Sequence, residues 1–110
     1  MGIASALVNI YPHLVQTALF DYALDFEEQE KWTLAEQLGV VLLHFAVKSG
    51  NKDAEIVMLM FVGRIYMMMG QQQESNEMLS AALRLIRVIH GDTDERVALL
   101  LTVMYSLLLN

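Results

Sequence analysis

Cysteine is absent from the chain, so neither a disulfide framework nor thiol chemistry is open to it, and a reducing, cytoplasmic location is expected. Proline occurs once, at Pro12, and glycine only six times in 110 residues, which favours long helices with few breaks. Cations are also scarce: seven Lys and Arg stand against thirteen Asp and Glu, for a net charge of -6. Residues 1–30 hold no Lys or Arg at all, but carry Asp21, Asp25, Glu27, Glu28 and Glu30. Nucleic-acid binding needs clustered cations to neutralise phosphates, and the same shortage disfavours an anionic membrane surface. His13, His44 and His90 lack metal-ligand spacing, and neither a Gly-rich phosphate loop nor a calcium-loop pattern is present. No catalytic constellation forms, so a protein without enzymatic activity, cofactor or metal is expected. The N-terminus lacks the basic start of a signal peptide, and Ala6 stands where myristoylation needs Ser or Thr. The two apolar stretches, 56–69 with Arg64 inside and 97–109 with Thr102 and Ser106 inside, fall short of the ~18–20 residues of a membrane span. They read as buried helices.

What is present points the same way. Hydrophobic residues make up 55% of the chain, enough to exclude disorder and to fill a core. Leu, Met, Ala, Glu and Gln are strong helix formers, so an all-α fold is expected, in a single domain over 1–110 that is either whole or a fragment of a larger protein. A short turn of helix is expected within 3–10. Pro12 suits a first helical position, and the first long helix is placed at 13–26. The acidic cluster 25–30 then falls at a junction, where carboxylates favour the start of a second helix over 29–48. Gly50 is a candidate for the left-handed residue that ends it. A third helix, capped by Asn51 or Asp53, reaches Met69, and Gly70 ends it. A fourth spans 72–89, with Arg84, Arg87 and His90 near its negative end and Gly91 after it. Asp92 with Glu95 three residues on resembles a capping box, which starts a fifth helix over 93–109. Loops of two to four residues make these helices antiparallel neighbours.

The helices also repeat. Sliding residues 29–62 by 41 positions places Glu36 on Glu77, Leu38 on Leu79, Leu42 on Leu83, Val47 on Val88, Gly50 on Gly91 and Ile56 on Val97. Within the second unit, Val62, Gly63, Tyr66, Gly70 and Ala82 fall at a distinctive spacing, with Ser75 and Leu79 between them. This pattern resembles the tetratricopeptide repeat, in which a hydrophobe, a small residue and an aromatic on one helix are followed by a Gly and by small residues on the next. The long period and the stretch from Gly91 to Ala98 are similar to the linker of kinesin-light-chain-like repeats, with Asp94-Glu95 where that linker has His-Pro. The chain would hold about two and a half repeats of an α-solenoid.

The resemblance implies a protein-binding scaffold or adaptor, in which the first helix of each pair lines a concave groove. The implied groove residues are Val57, Met60, Arg64, Met67 and Met68 on the third helix, Ala98, Leu101 and Tyr105 on the fifth, and Gln16, Leu19, Ala23 and Phe26 on the first. A mostly apolar groove with one cation suits a helical or extended peptide segment. Three consecutive methionines, 67–69, cannot all face one core, and methionine serves adaptable binding surfaces. Arg64 either anchors a ligand carboxylate or pairs with the acidic cluster. Gly63 reads as a close helix contact, and Trp32 as a packing anchor. Two rival expectations stand beside this one. The last helix is apolar nearly all round and uncovered, which predicts homo-oligomerisation through residues such as Leu100 and Leu107. A small helical domain closing on an apolar ligand would draw its polar groups from Arg64, Tyr66, Tyr105 and His44.

Overall fold

The computed structural model describes residues 12–109. The short turn expected within 3–10 lies outside the described residues. Five helices follow in order: α1 (Pro12–Glu28), α2 (Trp32–Ser49), α3 (Lys52–Met68), α4 (Gln72–His90) and α5 (Glu95–Leu109). Among the described residues there is no strand. Each helix packs principally on those before and after it, with α3 against α4 the most extensive pair and α5 principally on α4. This is the contact pattern of an all-helical, repeat-like bundle of antiparallel helix-turn-helix units. No helix among the described residues is long and apolar enough to cross a membrane.

The turns explain the element boundaries. Lys31 N–H bonds to Phe26 carbonyl and Glu30 N–H to Glu27 carbonyl at the end of α1, at 2.8 and 3.0 Å. Gln71 and Gly70 repeat the pair against Tyr66 and Met67 at the end of α3, at 2.9 and 3.1 Å. Asn51 and Gly50 do the same against Ala46 and Val47 after α2. Each is a Schellman closure, in which a left-handed residue turns the chain so that two orphan carbonyls are satisfied. Gly50 and Gly70 hold that position with φ of 72° and 78°, and Glu30 holds it with φ of 59°. The two hairpin turns are therefore offset by 40 residues, whereas the sequence overlay gives 41. The difference arises in the second helix of each pair, since α2 has 18 residues and α4 has 19, so that Gly50 and Gly91 stand 41 apart.

Two expectations change at the helix starts. The carboxylates Asp25, Glu27 and Glu28 lie in the last turn of α1, at its negative end, because the turn comes three residues later than the sequence suggests. The cap of α5 is Asp94 rather than Asp92: its side chain accepts from Arg96 N–H at 2.9 Å, and α5 begins at Glu95. Asp92 instead pairs with Arg87 at 3.1 Å. Asn51 caps α3 by accepting from Ala54 N–H at 3.1 Å.

Two core clusters meet at α3. One joins Ala23, Ala35 and Leu42 of α1 and α2 to Met58, Phe61, Val62 and Ile65. The other joins Ile56 and Leu59 to Leu79, Ala82, Leu83 and Ile86 of α4 and to Val97 and Leu100 of α5. Trp32 packs against the first cluster. At the α3–α4 crossing a Cβ built on Gly63 would stand 2.7 Å from the Leu79 side chain. Ser75 is fully buried there and donates its hydroxyl to the Gly63 carbonyl at 2.8 Å.

Candidate functional site: the exposed stripe of α3 and its flanking clefts

Because α3 is packed on both sides, only a narrow stripe of it reaches solvent. Val57, Arg64 and Met68 are exposed along one face, with Met60 and Met67 half-buried beside them. Positions spaced by three, four or seven residues share a helix face, so the stripe follows from the periodicity of the buried set. A cleft of about 290 Å3 runs between α1, α2 and α3, lined by Gln16, Phe20, Leu42, Ala46, Val57 and Met58 among others. On the other flank, a cleft of about 230 Å3 between α3, α4 and α5 is lined by Met60, Arg64, Met67, Leu79, Leu99, Leu100 and Val103.

Arg64 is the charged centre of the stripe. Its Nη2 donates to Glu27 Oε1 at 2.8 Å and its Nε to the other carboxylate oxygen, a bidentate pair from α3 to α1. The guanidinium carbon also lies 5.4 Å from the centroid of the Phe61 ring, which meets Phe20 edge-on at 5.6 Å. The pairing of Arg64 with the acidic cluster is thus the arrangement adopted. Asp25 and Glu28 share the last turn of α1 with Glu27, so this cation is the counter-charge of an acidic helix end.

The predicted residues separate into groups. Val57 lines the first cleft and Met60, Arg64 and Met67 line the second, while Met68 is exposed between turns. Leu101 and Tyr105 are exposed but line neither cleft; Leu99 and Val103 take the place expected of them. The sequence does carry a signal for this rotation: Glu95, Thr102 and Ser106 share one exposed face of α5, opposite the buried Val97 and Leu100, and the placement by resemblance does not use it. On α1, Gln16 lines the first cleft, Leu19 and Phe26 pack against the core, and Ala23 is wholly buried. Leu100 is also core, at 2% exposure, and Leu107 packs against the same cluster, so neither is an open contact residue. Trp32 packs against the first core cluster as expected.

The remaining polar groups are committed to structure. Tyr66 donates to Glu36 at 3.1 Å, and burial followed by that bond holds its phenol above the ordinary value of 10. Hydrogen bonds from Arg96 hold the Asp94 carboxyl down at about 2. His90 meets Asp53 at 2.7 Å, across the ends of α4 and α3. Among the described residues no buried side-chain polar atom lacks a partner, and no group of His, Asp and Glu could hold a metal ion. No protein-family model matches the chain, and no curated protein matches it.

Proposed function

We propose that this chain is a non-catalytic, cytoplasmic protein-interaction module of tetratricopeptide type, a scaffold or adaptor that receives an apolar helical or extended peptide segment along α3. The observation that carries the reading is the α3 stripe itself, a row of valine, methionine and arginine flanked by two apolar clefts. The Gly63–Leu79–Ser75 crossing and the twice-used hairpin turn support the family resemblance. Apolar side chains of the partner would enter the clefts, gaining about 25 cal/mol per Å2 removed from water, with the flexible methionines adapting to their shape. Arg64, already half-neutralised by Glu27, would fix orientation more than affinity.

The test is a peptide-display selection on the purified chain, with binders re-measured on Val57→Asp and Met68→Asp variants. Both positions are exposed, so the fold should survive. Binders that lose at least tenfold in affinity support the reading. Binders indifferent to both changes, or a selection with no enrichment, count against it.

A second reading, self-association through α5, is favoured by the exposure of Leu101, Tyr105, Leu108 and Leu109.

A further inference from the structure

The two flanks of α5 are used differently. At 3.6 residues per turn, Leu99 and Val103 lie roughly 160° around the helix from Leu101, Tyr105 and Leu108. The first flank lines the cleft against α3, although Leu99 itself is 55% exposed there. The second faces no other helix extensively, and its three residues are 44%, 64% and 80% exposed. They follow one another at four and three residues, the spacing of a seam that another helix fills. Beyond Arg96 the helix carries no charge through Leu109.

We infer that this edge is the contact between two copies of the chain, paired isologously with their α5 helices antiparallel about Tyr105. The inference rests on the self-association reading; only its consequence for bivalent binding needs the groove reading. Two observations select a second copy as the occupant. A two-fold contact sets each residue against the same patch of its partner, so a charged edge would repel itself. The open face of α1 fails that condition, because exposed Asp21, Asp25 and Glu28 surround Tyr22. The α5 edge meets it. With Leu109 included at 72% exposure, and large side chains of ~200 Å2, the edge offers on the order of 500 Å2 per copy. Two copies then bury about 1,000 Å2, the lower limit of a specific interface, so the dimer is a weak one that forms with rising concentration. Because the edge stands on the flank away from the cleft, pairing as a consequence leaves Met60, Arg64 and Met67 open in both copies. The assembly is therefore bivalent, with two α3 sites on one two-fold frame, and a partner carrying two segments would gain avidity without any new contact.

The experiment is light scattering across a concentration series on the wild-type chain, on Leu101→Glu with Leu108→Glu, and on Met68→Glu, with helicity followed by circular dichroism. The expected result is a wild-type mass that rises from one chain to two and stops there. The double variant should stay at one chain with unchanged helicity, and Met68→Glu should behave as wild type. Because the chain has no cysteine, Tyr105→Cys adds a reading that does not depend on a destabilising charge. Under oxidation it should give a covalent dimer, since residues at a two-fold axis lie within disulfide reach. A wild-type mass of one chain throughout overturns the self-association reading itself. Growth past two chains, a dimer that survives the double change, or a dimer in which Tyr105→Cys does not cross-link overturns the isologous edge while leaving self-association standing.

Discussion

In the α1–α2 hairpin the left-handed turn residue is Glu30, and the small buried residues are Ala23 and Ala35. Forty positions on, the α3–α4 hairpin places Gly70, Gly63 and Ser75 at the same points. The hydrogen bonds of the two turns are the same, so the backbone plan tolerates a glutamate where glycine is usual. The interior of the crossing is less tolerant. Leu79 packs onto the bare backbone of Gly63, whereas Gly39, at the matching point of α2, leaves room for the larger Phe61 and Val62 of α3. The glycine thus serves the hairpin's own crossing in the second unit and the crossing to the next helix in the first, each filled by the larger side chain opposite. The second hairpin also adds a buried hydroxyl bond that Ala35 cannot make in the first.

Substitutions that exchange the two hairpins' residues would sharpen or break this comparison. The largest effect is expected at Gly63. Gly63→Val pushes branched carbons into Leu79, and should cost about 3 kcal/mol in chemical denaturation. Ala23→Gly, which imports the second hairpin's residue into the first, should cost only ~1 kcal/mol through helix propensity. Equal losses at the two sites would mean that the crossings are not equivalent in the way described. Next in size is Gly70→Ala, where a side chain must adopt a φ of 78°, at a cost of about 1 to 2 kcal/mol. Glu30→Gly should have the opposite sign and stabilise by less than ~1 kcal/mol; a loss of stability there would show that the Glu30 side chain makes a contribution of its own. Ser75→Ala should cost about 1 kcal/mol, the net value of one buried hydroxyl bond, with little change in helicity.

The smallest effect is a local one with pH. Asp94 is held at about 2, against 3.8 for a free carboxyl, by its bonds from Arg96. A depressed acid contributes its stabilisation above the unfolded value and loses it as pH falls through the folded one. The start of α5 should thus stay capped at neutral pH and fray between about pH 4 and pH 2. Amide exchange at Arg96 and Val97 would report it, and Asp94→Asn should flatten the dependence.

Much of the fold was legible because helix stops are written in single residues. Gly50, Gly70 and Gly91 mark three of the four turns, and the buried spacing of Ser75, Leu79, Ala82, Leu83 and Ile86 fixes the inner face of α4. The turn at Glu30 was misplaced because nothing in a glutamate announces a left-handed backbone. The cap of α5 was misassigned because Asp92 and Asp94 are both plausible, and only the length of the link decides between them. The α3 stripe was placed by the resemblance that Val62, Gly63, Tyr66 and Gly70 carry, and the exposure of Val57, Arg64 and Met68 follows from the residues buried on either side. The α5 contribution was not placed, although Glu95, Thr102 and Ser106 mark the outer face of that helix, because Leu99 and Val103 on one flank look no different from Leu101 and Tyr105 on the other.

The measurement that tests the central claim most directly is amide hydrogen exchange with and without a display-selected peptide. New protection should concentrate in residues 57–68 of α3, with a lesser change over 99–103 of α5. Protection centred instead on α2 and α4, around the exposed Val47 and Val88, would contradict the assignment of α3 as the surface that receives a partner.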